Sequence, residues 1–167
     1  MIEKSKILDS KGIEKKITRL AWQIYENNFR EDEIVIIGIC GRGEILALEL
    51  SKVLNKISQI KTRTGTLRID KDNPLDSEII LDLDKAEYTN KVVVLIDDVL
   101  NSGKTLMYAS KHFLTTSLIK LSTLVLVDRN HNRFPIKADY IGLSLATTLQ
   151  EYITVVLEGE EEGVYLL

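Results

Sequence analysis

Cysteine occurs once in this chain of 167 residues, at Cys40, and histidine only twice, at His112 and His131. A single cysteine forms no internal disulfide, which excludes a disulfide-stapled scaffold. Two histidines do not make a histidine-rich metal site, which needs more ligands at suitable spacing. An excess of positive charge is missing too. The net charge is −3 with 28% charged residues, so a dedicated nucleic-acid binder is not indicated, although a local basic face can sit on an acidic protein. No apolar run approaches the roughly 20 residues that cross a bilayer, and the start M-I-E-K-S-K-I-L has no apolar signal core. A cytoplasmic protein without a membrane role is expected. Cys40 is expected to be a small buried residue rather than a nucleophile, because no histidine lies near it and its neighbours are strand-like.

What is present is enough apolar material for one core. At 18.9 kDa and 44% hydrophobic residues, the chain reads as a single domain over residues 1–167. Residues 12–29 place Ile13, Ile17, Leu20, Ala21, Ile24 and Tyr25 at helical spacing with charges between them, which predicts an amphipathic helix. The run I-V-I-I-G-I at 34–39 then breaks into C-G-R-G and a second helical pattern from Ile45 to Leu54. Further continuous apolar strands are expected at Val92–Ile96 and at 123–127, with a helix between them from about Lys104 to Leu114. Strands apolar on both faces that alternate with helices indicate a parallel sheet covered on both sides, hence a Rossmann-like α/β fold. Residues 62–90 are rich in charge and turn formers and are expected to form a mobile hairpin or lid with partial strand character. The acidic stretch E-G-E-E-E-G at 158–163 reads as a solvated loop before a last strand.

The segment with most chemistry is V-V-V-L-I-D-D-V-L-N-S-G-K-T, residues 92–105. Ligands of an open parallel sheet sit outside the carboxyl ends of the strands, so Asp97 and Asp98 should emerge at the ligand edge. The following N-S-G-K-T leads into a helix, where free backbone amides make an anion seat to which Ser102 and Thr105 add hydroxyls and Gly103 close approach. A vicinal diol offers two donors to the carboxylate pair. A phosphate seat beside a diol seat suits a ribose 5-phosphate. The plain structural alternative is that the acids cap the next helix and the rest is an ordinary strand-to-helix turn. A triphosphate-binding loop is excluded, because the glycine it needs five residues before Gly103 is Asp98.

This segment resembles the phosphoribosyl-pyrophosphate signature of type I phosphoribosyltransferases. More narrowly, I-L-D near Ile7, I-T-R-L at 17–20, I-I-G-I-C-G-R-G at 36–43 and L-V-D-R-N-H-N-R-F-P-I-K-A-D-Y-I-G at 126–142 are similar to the bacterial pyrimidine operon attenuation regulators that double as uracil phosphoribosyltransferases. The resemblance implies transfer of ribose 5-phosphate from phosphoribosyl pyrophosphate to a nucleobase, with uracil as the base and Mg²⁺ as the cofactor. It implies that Asp97 and Asp98 hold the ribose and the metal, directly or through water. Asn101, Ser102, Gly103, Lys104 and Thr105 would hold the 5-phosphate, and Cys40, Gly41, Arg42 and Gly43 the pyrophosphate, with Arg42 as the charge. Asp97, Asp98 and Arg42 form the catalytic set. Arg129 would hold pyrophosphate or the base region, and Arg68 is a weaker pyrophosphate candidate. Tyr140 and Ile141 lie in the stretch that would wall the base, although Tyr140 also reads as core packing.

Two departures stand out against that family. The segment 62–90 is short for a lid and lacks a tyrosine next to Thr66-Leu67, and Asn101 stands where purine-salvage relatives carry an acid, which disfavours hypoxanthine and guanine. Binding to leader mRNA is the family's second activity. Thr18 and Arg19 match its basic face, but Trp22 stands where histidine is usual and 146–152 is nearly free of positive charge, so few cations are available to phosphates. A sensor that binds nucleotide without turnover is a third reading. Trp22 suits either a subunit contact or core packing, and a homo-oligomer, dimer or larger, is expected.

Overall fold

The computed structural model describes residues 4–167. In chain order the elements are β1 (Ser5–Asp9), α1 (Ser10–Asn28), β2 (Glu33–Ile39), α2 (Arg42–Ile57), β3 (Lys61–Arg68), β4 (Ile80–Leu81), α3 (Lys85–Tyr88), β5 (Val92–Leu100), α4 (Lys104–Phe113), β6 (Lys120–Asp128), β7 (Tyr140–Ser144), β8 (Ile153–Val156) and β9 (Gly163–Leu166). Six strands form one sheet in the order β4-β3-β2-β5-β6-β7. All its pairings are parallel except β3 with β4. The expected α/β architecture is present.

Alternation along the strands divides the core in two. Ile34, Ile36, Val92, Val94 and Ile96 face α1 and α2, whose buried stripe runs from Ile13 and Leu20 to Leu46, Leu50 and Leu54. Val35, Ile37, Val93 and Leu95 face the other way, onto Leu106, Phe113 and Tyr88 from α4 and α3. Both faces of β2 and β5 are therefore dry, which is why their sequences are apolar without a polar alternation.

Chain order reverses between β2 and β5. β2 passes through α2 to β3 on one side, and β5 passes through α4 to β6 on the other. This is the switch point at which an open α/β sheet leaves a crevice between two strand-to-helix loops. A separate antiparallel sheet in the order β1-β9-β8 joins both ends of the described chain and brings β8 to that crevice.

Residues 62–68 are a strand of the main sheet, and their antiparallel pairing with β4 makes the expected hairpin. They fall in β3, which pairs in parallel register with all of β2 and buries Leu67 completely. Its Thr and Arg alternation disguises it, because one face of this near-edge strand is partly open to solvent. The irregular excursion is confined to residues 69–79 before β4. Cys40 is exposed, since β2 ends at Ile39 and the next residue already belongs to the loop. The loop at 157–162 precedes β9, as the acidic stretch predicts.

Candidate active site

Two helices begin at the crevice with a glycine at the N-cap. α2 starts at Gly41, with φ 98°, and α4 starts at Gly103, with φ 82°. Both angles are left-handed and favour glycine. A helix start whose amides meet no side-chain acceptor carries partial positive charge and free donors. Two glycine-capped starts flank Asp97 and Asp98, that of α2 with no side-chain cap and that of α4 with a single long donation, from the Lys104 amide to Ser102 Oγ at 3.3 Å.

The two acids lie inside β5, which runs to Leu100 and not only to Ile96 as its apolar run suggests. β2 pairs with β5 no further than Ile96, whereas β6 pairs onward through Asp97, Val99 and Leu100. Asp97 and Asp98 therefore stand where one neighbouring strand has left, on a rigid backbone rather than on a loop. Both are buried, Asp97 to 3% exposure and Asp98 to 5%. Loss of water and the adjacent Asp98 charge raise the Asp97 carboxyl to about pKa 7, against the lowering effect of Lys71.

Each acid meets one cation. Arg42 Nε lies 2.9 Å from Asp98 Oδ2, and its Nη1 donates to the Val155 carbonyl of β8 at 3.0 Å. Lys71, from the excursion, donates to Asp97 Oδ1 at 3.1 Å and to Oδ2 at 3.3 Å. Lys104 reaches the same excursion through the Asp72 carbonyl. Arg42, Asp97, Asp98 and the loop Asn101–Thr105 line one cavity of about 210 Å³, together with Lys71 and with Ile153 of β8. Cys40, Gly41 and Gly43 frame the opposite helix start, where the Cys40 amide donates to Leu67 at 2.9 Å.

Three residues expected at the site have other positions or partners. Arg129 is only 7% exposed and spends its guanidinium on the protein. It donates to Asn101 Oδ1 at 2.8 Å, to Thr147 Oγ1 at 3.0 Å and to the carbonyls of Thr148 and Glu151. It is a strut between loops rather than a free ligand grip. Tyr140 is buried in the core beside α1, where Asn28 donates to its hydroxyl. Ile141 packs on the other face against the core around Ala138 and Val125. Both sit at the start of β7, level with Ile96 and Asp97 and two strands away from β5. They do not line the cavity.

Sequence reasoning missed Lys71, Ile153 and Val155. Lys71 lies among other charges with no spacing to mark it, and β8 reaches the site only through pairing with β9. Trp22 is 44% exposed, which removes its core-packing reading.

A sheet with its chain reversal between β2 and β5, carrying paired acids between two glycine-capped helix starts, defines the class. The chain belongs to the phosphoribosyl transferase domain family, whose model matches residues 3–157. It is 35% identical over 160 residues to the bifunctional protein PyrR of Staphylococcus aureus strain bovine RF122 / ET3-1, covering 91% of each chain. The protein of that name from strain JH9 is 34% identical over the same coverage. Among solved structures, the hypoxanthine phosphoribosyltransferase of Trypanosoma cruzi matches with a TM-score of 0.81 at 16% identity, over 98% of this chain and 95% of that one. A hypoxanthine-guanine phosphoribosyltransferase from Bacillus anthracis matches with a TM-score of 0.77 at 19% identity, over 99% and 100%. At such identities these structures attest the fold.

Proposed function

We propose that the protein transfers ribose 5-phosphate from phosphoribosyl pyrophosphate to uracil, releasing pyrophosphate. The observation that carries this reading is the buried Asp97–Asp98 pair held between two helix starts whose N-cap residues are the glycines Gly41 and Gly103. Asp97 and Asp98 accept hydrogen bonds from the ribose hydroxyls. The start of α4, with the Ser102 and Thr105 hydroxyls, takes the 5-phosphate. The start of α2 and Arg42 take the pyrophosphate.

In the reaction the bond from C1′ to pyrophosphate breaks, a bond from C1′ to the base nitrogen forms, and the proton of that nitrogen is released with the pyrophosphate. Positive charge grows on the sugar and negative charge on the leaving group, as in glycoside cleavage. Donors fixed before the reaction stabilise that leaving charge most effectively. Arg42 is fixed in this way by Asp98 and Val155. Ile153 and Val155 of β8 bound the crevice on one side.

The donor set also fits Mg²⁺. Asp97 and Asp98 are hard oxygen ligands, and no cluster of three or more His, Cys, Asp or Glu side chains exists among the described residues. Mg²⁺ commonly binds through one or two carboxylates, with substrate oxygens and water completing its shell. Bound there, it would supply neutralising charge to the diphosphate.

The test is nucleotide formation from phosphoribosyl pyrophosphate with uracil, hypoxanthine, guanine, adenine and orotate. Uracil turnover is expected, and Asp97→Asn with Asp98→Asn should lower it about a hundredfold or more, the scale lost with key transition-state contacts. Nucleotide binding without turnover on any base would replace the enzyme with a sensor.

One observation favours RNA as an additional ligand. Lys11, Lys15, Arg19 and the exposed Trp22 surround a single groove on α1, with Glu14 as the one acid among them. Three cations predict a shallow salt dependence, with a slope near −2 for single strands. Filter binding to pyrimidine-operon leader RNA across salt measures it, and affinity no better than for scrambled RNA removes this reading.

A further inference from the structure

The buried Arg129 determines which way the Asn101 amide faces. Arginine has donors only, so the Asn101 atom 2.8 Å from Nη1 has to be Oδ1, because the flipped amide would set a donor against a donor. The guanidinium is in turn immobilised by Thr147 Oγ1, the Thr148 and Glu151 carbonyls and the face of Tyr152, whose ring centre lies 5.7 Å away. His131 ties the same loop through the Thr147 carbonyl. With Oδ1 committed, Nδ2 has no hydrogen-bond partner among the described residues, and a donor is what Asn101 offers a ligand.

Asn101 lies on the cavity wall between the acid pair and the α4 start, and Ile153 of β8 lines that cavity with an apolar surface. A flat ring held by its sugar at Asp97 and Asp98 needs an apolar cover and one oriented polar contact. We propose that Asn101 is a specificity-determining residue whose Nδ2 donates to an exocyclic carbonyl of the base, and that Arg129 is the positioning residue that makes this donation obligatory. Among pyrimidines the site then selects the 4-oxo base over its 4-amino counterpart. The inference rests on the reading of the cavity as a nucleotide site and names the class of base that site reads.

Calorimetric binding of UMP against CMP tests it. The wild-type protein is expected to bind UMP about tenfold more tightly, the scale of one net hydrogen bond. Asn101→Ala should bring the ratio close to one by weakening UMP. Asn101→Asp, which presents only acceptors, should move preference toward CMP and its amino group. Arg129→Lys keeps the charge without the planar fork and should erode the ratio. Should that variant not fold, Thr147→Val loosens the guanidinium while leaving it in place and should do the same. An equal wild-type affinity, or a ratio that survives Asn101→Ala and Asn101→Asp, overturns the proposal. A ratio that survives both Arg129→Lys and Thr147→Val removes Arg129 from it. Selection of UMP without nucleotide formation from any base would sink the transferase reading alone, whereas uracil turnover with no role for Asn101 in selection would sink this one alone.

Discussion

Asp97 is the residue at which fold and chemistry oppose each other. Its carboxyl is buried next to Asp98 and raised to about pKa 7, against the lowering effect of Lys71. An unfolded aspartate titrates near 4, so between about pH 4 and pH 7 the folded state holds more protons than the unfolded state. Stability then falls as pH rises through that window, and the full penalty remains above it. Asp97→Asn removes the penalty. The variant should melt at a higher temperature than wild type at pH 8, by about 2–4 °C for each kcal/mol relieved, and show little difference at pH 4. Thermal melts across pH measure this, and a lower melting temperature for the variant at pH 8 would refute it. The same substitution should lower transfer, so stability and activity move in opposite directions, as expected of a strained functional group.

Among the elements, the approach of α2 to the sheet decides where Arg42 stands. A Cβ on Gly38 would lie 2.5 Å from Glu44 Cα and from the Gly43 carbonyl, and a Cβ on Gly43 would lie 2.7 Å from the Ile96 carbonyl. Backbone meets backbone there, with no flexible side chain to yield. Gly38→Ala should therefore cost about 1–3 kcal/mol, the range for overpacked interiors. It should also push the start of α2 outward, lengthening the Arg42–Asp98 contact. Urea unfolding gives the first quantity. A rise in the KM for phosphoribosyl pyrophosphate larger than that for the base reports the second. Much of this element was legible, because a glycine-rich break between an apolar strand and a helical pattern marks a close turn. The partner of Arg42 was not, since Asp98 lies 56 positions along the chain.

At the scale of the whole molecule, the sheet of β1, β9 and β8 joins both ends of the described chain and carries β8 to the crevice. β9 is its middle strand, with Val164 and Tyr165 buried. Removing residues 163–167 strips the pairing from β1 and β8 together and takes the buried Val164 and Tyr165 side chains out of the core, at a cost of at least about 3 kcal/mol by their lost burial alone. It also frees Val155, whose carbonyl holds Arg42. Denaturant melts should show the stability loss, and the truncated chain should lose transfer more steeply than it loses folded fraction. A truncation that melts like the full chain would mean that the small sheet contributes nothing to the fold.

The sequence by itself determined the elements whose signals are local. A continuous apolar run reads as a doubly covered strand, a 3.6-residue period reads as a helix face, and D-D followed by N-S-G-K-T reads as acids beside an anion seat, because each pattern is complete within a few consecutive residues. Only the tertiary structure decided the rest. β3 looked like part of a lid until its pairing with β2 was formed, Tyr140 looked equally suited to base and core until its strand face was fixed, and Arg129 looked like a ligand grip until the loop at 147–151 closed around it. Lys71 and Asp97 carry no mutual signal along the chain. Partners separated by tens of residues meet only after the sheet has set their register, and that long-range pairing is what the fold adds to the sequence.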